Sequence, residues 1–269
     1  MKLRENKRNL IIRILKFLLT IFLAYISYKA LFSTILTEKY HIMSYLLVWF
    51  LISYLVLPYL NRLLSKLYIP DYFIGRTKTN DGLLGDPINL AFYGNSEDII
   101  KAFEMSGWNV AEDLNFKSSI KIGLACILSK SYSTAPVSSL YLFSRKQDIA
   151  FEREIKGNPR KRHHIRLWKT PENWNLPGGS KADWLGSATY DKNVGLSLFT
   201  GQITHKIDAD VDEERDFVIH SLETNNTIEE FNLVEHFTSS YHSRNGGGDR
   251  IKTDGALPFI TIKKVTTLL

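Results

Sequence analysis

The segment RKRHHIRLW, at residues 160–168, carries the densest group of side chains that could bind an anion. Side chains on a β-strand point alternately to its two faces. One face of this segment would carry two guanidiniums, an imidazole and an indole: Arg162, Arg166, His164 and Trp168. Guanidinium groups bind phosphates and carboxylates through paired hydrogen bonds. We predict an anion site at the two arginines with His164 as a proton carrier; the alternative is a solvated face with Trp168 packed at its edge.

The segment THKIDADVDEERD, at residues 204–216, is a second such group. His205 and Asp208 could act as an acid/base pair or bind a metal ion. Acidic residues at alternate positions from Asp208 resemble the start of a calcium-binding loop. An EF-hand is excluded, because position six of the loop would be Glu213 instead of glycine and position twelve Ile219 instead of glutamate. The alternative is that these acids cap the N-terminus of a helix.

Two further aspartates stand where a strand meets a turn. Asp191 closes the predicted strand WLGSATYD, and Asp86 lies in the tripeptide GDP. Each could be a catalytic carboxylate or a turn former. The predicted catalytic set contains two histidines and two aspartates: His164, Asp191, His205 and Asp208. The sequence assigns no metal ion and no cofactor to this set.

Short strands and a few helices must position these groups. The hydrophobic pattern predicts helices at 96–108, at 116–128 and from about 210 to 222, with strands that rarely alternate with them. The strands LYLFSR and DIAFERE are predicted to form a hairpin that turns at 146–147. The face of 160–168 that carries His163 is expected to enter the core. These features predict an α+β fold with a mainly antiparallel sheet and about three helices.

Two apolar segments precede this fold, at about 14–36 and 42–61. The second contains no Asp, Glu, Lys or Arg and comes close to the ~20 apolar residues that cross the hydrocarbon core. The first carries Arg13 and Lys16 near its start, where long basic side chains can reach the lipid headgroups. Its alternative is a cleaved signal peptide. The pair predicts a two-helix transmembrane hairpin.

The positive charge of the chain belongs to its N-terminal part. Residues 1–68 hold ten Lys and Arg against two Asp and Glu, whereas residues 69–269 carry a net charge of −2. We therefore predict a membrane hairpin over 1–68, a soluble domain over 69–269 and no nucleic-acid partner. Basic residues lie on the outer sides of both predicted spans, which predicts that both termini are cytoplasmic.

Several segments together resemble the LssY C-terminal domain family. They are RTKTNDGLLGDPINLAFYG (76–94), TAPVSSLYLFSRKQDIAFER (134–153), RKRHHIRLW (160–168), WLGSATYD (184–191), TGQITHKIDADVDEERDF (200–217) and GDRIKTDG (248–255). The resemblance implies a bacterial protein of the cell (inner) membrane and supplies no catalytic assignment. Domains of this family are often attached to multi-spanning domains of the phosphatidic-acid-phosphatase or DedA type, which two helices do not provide.

Three functions remain as alternatives at this point. The first is an enzyme, such as a hydrolase, that acts on a phosphorylated or acidic and lipid-derived substrate. The second is a non-catalytic ligand-binding or regulatory module of a membrane system, and the third is a structural accessory subunit. The expected partners are the lipid bilayer, an anionic or lipid-derived ligand and other membrane proteins.

Overall fold

A computed structural model describes residues 41–69, 72–128, 130–238 and 244–264, together with a few positions between 18 and 29. Most of the first predicted span, at about 14–36, lies outside the described residues. The second lies in a continuous helix made of α1 (His41–Leu51), a π-helical turn (Ile52–Val56) and α2 (Leu57–Tyr68). Within the described residues, the 26-residue stretch Ile42–Leu67 is the one helix long and apolar enough to cross a membrane. The two-helix hairpin therefore remains a prediction.

The described strands form two sheets. The smaller has the order β2-β1-β5-β6, from β1 (Arg76–Thr79), β2 (Leu84–Pro87), β5 (Leu140–Leu142) and β6 (Arg145–Lys146). The larger contains β3 (Leu90–Tyr93), β4 (Asn109–Val110), β7 (Ile149–Ile155), β8 (Asn158–Lys169), β9 (Trp184–Leu196), β10 (Ile203–Ile207), β11 (Ile228–Val234) and β12 (Leu257–Ile262). Its order is β11-β12-β3-β9-β8-β7-β4, and β10 pairs with β9.

The pairing of the strands confirms an α+β fold with mainly antiparallel sheets. Among the described strand pairs, β12 with β3 is parallel and the others are antiparallel. Three helices accompany these strands beyond residue 69 in the described part of the chain: α3 (Ser96–Met105), α4 (Phe116–Leu128) and α5 (Val211–Thr224). The helix start predicted near Asp210 is confirmed, because the Asp210 side chain accepts a hydrogen bond from the Asp212 amide.

The main core lies between the larger sheet and the helices α3 and α5. Phe103 of α3 stacks on Phe151 of β7 with ring centres 4.4 Å apart, and both are fully buried. His163 belongs to this face as predicted, because its ring stacks on Phe217 and its Nδ1 lies 2.7 Å from Glu214 Oε2. The opposite face of the larger sheet, which includes Trp168, packs against the smaller sheet.

The predicted hairpin at 146–147 is wrong. The turn lies at Phe143 and Ser144, whose φ values of 52° and 60° suit the two-residue turn that joins β5 to β6. After β6 the chain leaves the smaller sheet, and β7 pairs with β8 in the larger one. The Gln147 side chain accepts a hydrogen bond from the Leu140 amide at this crossing between the sheets. Alternation along each strand did not reveal that the two strands join different sheets.

Candidate functional site

A cavity of about 240 Å³ lies between the smaller sheet and the central strands of the larger one. Strand β8 lies between β7 and β9, and its alternation directs Arg162, His164 and Arg166 to the cavity side. The side chains of all three are only 2–3% exposed. The alternative of a solvated face is therefore wrong, because these charged groups are held inside the protein.

Arg162 is fixed between two buried carboxylates from the neighbouring strands. Its Nε donates to Asp191 Oδ2 and its Nη1 donates to Glu152 Oε2, both at 3.0 Å. The Ala135 amide also donates to Glu152 at 2.7 Å. Burial nevertheless raises the pKa of Glu152 to about 7, against the opposing effect of Arg162. Burial disfavours the charge of Arg162, yet Asp191 and Glu152 together raise its pKa.

Arg166 is held from the opposite wall of the cavity. Its Nε donates to the Ser138 carbonyl at 2.9 Å and its Nη2 donates to Ser138 Oγ at 3.0 Å. Its Nη1 lies 3.4 Å from Asp86 Oδ2, while Asn245 Nδ2 donates to the other oxygen of Asp86 at 3.0 Å. Asp86, a turn former or a site residue by sequence, thus lines the cavity. The contact between Asp86 and Arg166 is the longest of the three contacts described for the Arg166 guanidinium.

Asp191 is the centre of the site. One oxygen, Oδ2, lies 3.5 Å from His164 Nδ1 and 3.4 Å from His205 Nδ1, in addition to its bond with Arg162. Burial favours the neutral acid, but the two imidazoles and the guanidinium together lower the pKa of Asp191 to about 2. Neither Nδ1 atom has a hydrogen-bond partner at the geometry found here, although both are buried. Buried polar atoms of this kind call for a functional or structural reason.

The two histidines differ in their access to the cavity. His164 is almost fully buried, and its Nε2 lies 2.7 Å from Thr189 Oγ1. The His205 side chain is 23% exposed. Burial lowers the pKa of both rings, and the negative charge of Asp191 opposes this effect. His205 is therefore the imidazole that a molecule in the cavity can reach.

A glycine-rich loop closes one side of the cavity. Asn245 Oδ1 accepts hydrogen bonds from the Gly247 and Asp249 amides, and Lys206 Nζ contacts Asp249 Oδ1 at 2.7 Å. A Cβ atom on Gly246 would lie only 2.5 Å from the Thr79 side chain, so this close approach requires glycine. The loop follows no P-loop pattern, yet it forms part of the wall.

The structure separates Asp208 from the other predicted site residues. Its side chain is 42% exposed and lies 4.0 Å from Lys192, outside the lining of the cavity. His205 and Asp208 are three residues apart, and this spacing places them on opposite faces of an extended chain. Glu152 was missed by the sequence analysis. The sequence feature that could have indicated Glu152 is a glutamate within the predicted strand DIAFERE. In the structure this residue pairs with His164.

The cavity is thus lined by two guanidiniums, two imidazoles and the carboxylates of Asp86, Asp191 and Asp249, while Glu152 contacts Arg162 from outside the lining. This set can hold an anion and move a proton. No group of three or more His, Cys, Asp or Glu side chains in the described ranges is arranged to hold a metal ion.

A family model described as LssY C-terminus matches residues 66–257, which include every residue of the cavity. No match was found among curated proteins or among solved structures.

Proposed function

This chain belongs to the LssY C-terminus family, and on this premise we propose that it is a membrane-anchored protein whose cavity binds an anionic group and exchanges a proton with it. One observation carries the proposal. Two buried imidazole nitrogens without hydrogen-bond partners converge on Asp191 in a cavity that also contains Arg162 and Arg166. Perturbed titratable groups that share a pocket are typical of functional sites.

The charge of the cavity supports an anion as the ligand. Arg162 forms ion pairs with Asp191 and Glu152, and Arg166 forms one with Asp86. The raised pKa of Glu152 makes this carboxyl group partly neutral near pH 7. A proton on His205 would add a positive charge beside Asp191, which already forms an ion pair with Arg162. An anion that enters the cavity therefore favours protonation of His205, and the protonated ring in turn favours the anion.

The contact between His205 and Asp191 supports a role in proton transfer. Asp191 remains ionised at neutral pH. Its negative charge therefore favours the form of His205 that carries a proton on Nδ1, the ring nitrogen that faces Asp191. The lone pair of Nε2 is then available to take a proton from a bound molecule. The enzymatic form of this function is acid/base catalysis, including hydrolysis, on a phosphorylated or acidic substrate that can derive from a lipid.

A second function is a non-catalytic ligand-binding or regulatory module. It is favoured by the hydrogen bonds of the guanidiniums, because Arg162 and Arg166 already donate to acceptors within the protein. An anion would have to replace the weak contact of Arg166 with Asp86, at 3.4 Å, to bind that guanidinium in bidentate fashion. Both functions share one ligand chemistry, which is a phosphate or carboxylate group.

We expect Arg166→Lys to weaken anion binding by at least about tenfold, because lysine keeps the charge but lacks the planar fork of guanidinium. Isothermal titration of the full chain in phosphatidylcholine nanodiscs at pH 6 measures this effect. Inorganic phosphate and a short-chain phosphatidic acid serve as probes, and they distinguish a free anion from a lipid headgroup. Lys169→Arg, at an exposed position of the same strand, is the control. Equal affinities of wild type and Arg166→Lys for both probes would contradict the proposal.

The proposal places the protein in the cell membrane of a bacterium as a multi-pass protein with both termini in the cytoplasm. The apolar helix Ile42–Leu67 and the basic residues that flank the two predicted spans support it. A reporter fused after Lys66 is expected to be active in the cytoplasm, and one fused near Glu38 in the external compartment. External protease that cleaves the domain in intact cells would contradict this orientation.

A further inference from the structure

The tip of the β9–β10 hairpin, residues 196–203, exposes apolar side chains. Its sequence, LSLFTGQI, contains no charged residue. The apolar side chains are largely open to the outside: Leu196 at 57%, Leu198 at 66%, Phe199 at 42% and Ile203 at 60%. A cluster of this kind on a domain surface is typical of a contact with a membrane or a protein.

Hydrogen bonds attach this tip to the apolar helix. Trp49 Nε1 donates to the Gly201 carbonyl and Gln202 Nε2 donates to the Ser53 carbonyl, both at 3.0 Å. The Ile203 amide donates to the Tyr54 hydroxyl at 3.2 Å. Ser53 lies in the π-helical turn. Such turns are rare in helices, and those that occur are often found at functional sites. The tip therefore has a defined position against the helix.

Three of the hydrogen bonds between the tip and the helix lie at the level of the apolar core of the candidate span, and a fourth, from Asn61 Nδ2 to the Phe199 carbonyl at 3.5 Å, lies roughly 28 Å from its start. The stretch Ile42–Leu67 is roughly 39 Å long at 1.5 Å per residue, and Trp49 to Tyr54 lie roughly 10–18 Å from its start. Leu46 and Phe50, close to this level, are about half exposed. If this helix crosses a bilayer, the tip beside it lies within the hydrocarbon or at its boundary.

The backbone of the tip suits an environment without water. The Ser197 amide donates to Gln202, the Gly201 amide to Ser197 and the Leu198 amide to Gly247, at 2.8–3.0 Å. The Thr200 amide donates to Ser197 Oγ at 3.2 Å. Backbone groups can enter lipid only when the protein satisfies their hydrogen bonds. The tip meets this requirement at these positions while it directs its apolar side chains outward.

We propose that the β9–β10 tip is inserted into the lipid bilayer beside the helix Ile42–Leu67. The bilayer is the partner because the tip is fixed to the candidate span and shares its apolar, uncharged exterior. Ile203 ends the tip and also lines the cavity, so insertion places the entrance of the cavity next to the membrane surface. The insertion itself does not depend on anion binding.

The depth of the tip can be measured with an environment-sensitive fluorophore. The single native cysteine is removed by Cys126→Ser, and a nitrobenzoxadiazole label is attached at Leu198→Cys in the full chain in phosphatidylcholine nanodiscs. We expect its emission to shift to the blue, to be quenched by nitroxide-labelled lipid chains and to be protected from aqueous iodide. Glu172→Cys, at an exposed position in the loop between β8 and β9, is the control and should show the opposite pattern.

Quenching of the Leu198 label by iodide, to the same degree as the Glu172 label, would overturn the proposal. A Cβ atom on Gly248 would contact Leu198, so Leu198 is close to the glycine-rich loop and its replacement could disturb that loop. Phe199→Cys provides a second position on the tip with the same expected result. Circular dichroism of each labelled chain establishes that it is folded. The insertion rests on the membrane anchor of the proposed function, whereas phosphate titration of the same samples reports on the anion site, so failure of insertion and failure of anion binding are distinguished.

Discussion

Replacing Arg162 with methionine is expected to lower the free energy of unfolding by about 3–5 kcal/mol at pH 7. Arg162 is buried and donates to Asp191 and Glu152, both of which are buried as well. Methionine fills a similar volume but leaves two carboxylates in the interior without their shared cation. Urea unfolding of the full chain in detergent micelles, followed by circular dichroism, measures the loss. Lys161→Met, at the neighbouring exposed position, should change it by no more than about 0.5 kcal/mol.

The pH dependence of this loss tests its cause. The pKa of Glu152 is raised to about 7 even with Arg162 present, and it should rise further without the guanidinium. A carboxyl group with a raised folded-state pKa stabilises the fold below its unfolded pKa of about 4.5, and this contribution is lost as pH rises through the folded value. Wild type and variant lose this contribution together up to about pH 7, so the difference between them should widen only above about pH 7, where Glu152 is ionised in the folded wild type and still protonated in the folded variant. A loss below about 1 kcal/mol, or one that is constant with pH, would contradict this account.

Replacing His205 with glutamine is expected to remove most of the pH dependence of anion binding. Burial lowers the pKa of His205, and the charges that face it are those of Asp191, Arg162 and Arg166. A bound anion raises that pKa, so the wild-type protein takes up a proton on binding. The affinity of the wild-type protein for the anion should then fall by up to about tenfold per pH unit as the pH rises from the pKa of His205 in the free protein to its pKa in the complex. Sulfate is the appropriate probe because its own charge is constant over this range.

Glutamine at position 205 cannot take up the proton, so the affinity of the variant for sulfate should be lower at pH 6 and nearly constant with pH. His220→Gln, at an exposed position of α5, is the matched control and should keep the wild-type profile. A wild-type profile in His205→Gln would show that the proton resides elsewhere, for example on Glu152.

Turnover separates the two proposed functions in the same variant. If the protein is a hydrolase of phosphate esters, His205→Gln should lower the hydrolysis of 4-nitrophenyl phosphate or short-chain phosphatidic acid by about 10²–10⁴. If the wild-type chain binds these esters and hydrolyses neither, the binding-module function is favoured. The measured affinities then describe ligand binding alone.

Local patterns in the sequence determined which side chains share a face. Alternation along 160–168 placed Arg162, His164 and Arg166 together and His163 on the other side, and both placements hold in the structure. The acidic start of α5 and the α+β class also followed from local signals. These features depend on the geometry of one strand or one helix turn, which is fixed by residues a few positions apart.

The tertiary structure decided which residues meet. Asp191, Glu152 and His205 join Arg162 only through the pairing of β7, β8, β9 and β10, whose contacts connect residues far apart in the sequence. The same pairing buries the charged face of β8 beneath the smaller sheet, where a single strand pattern could not distinguish burial from exposure. Long-range pairing selects these neighbours because the energy of burying each charge depends on the partners that the other strands supply.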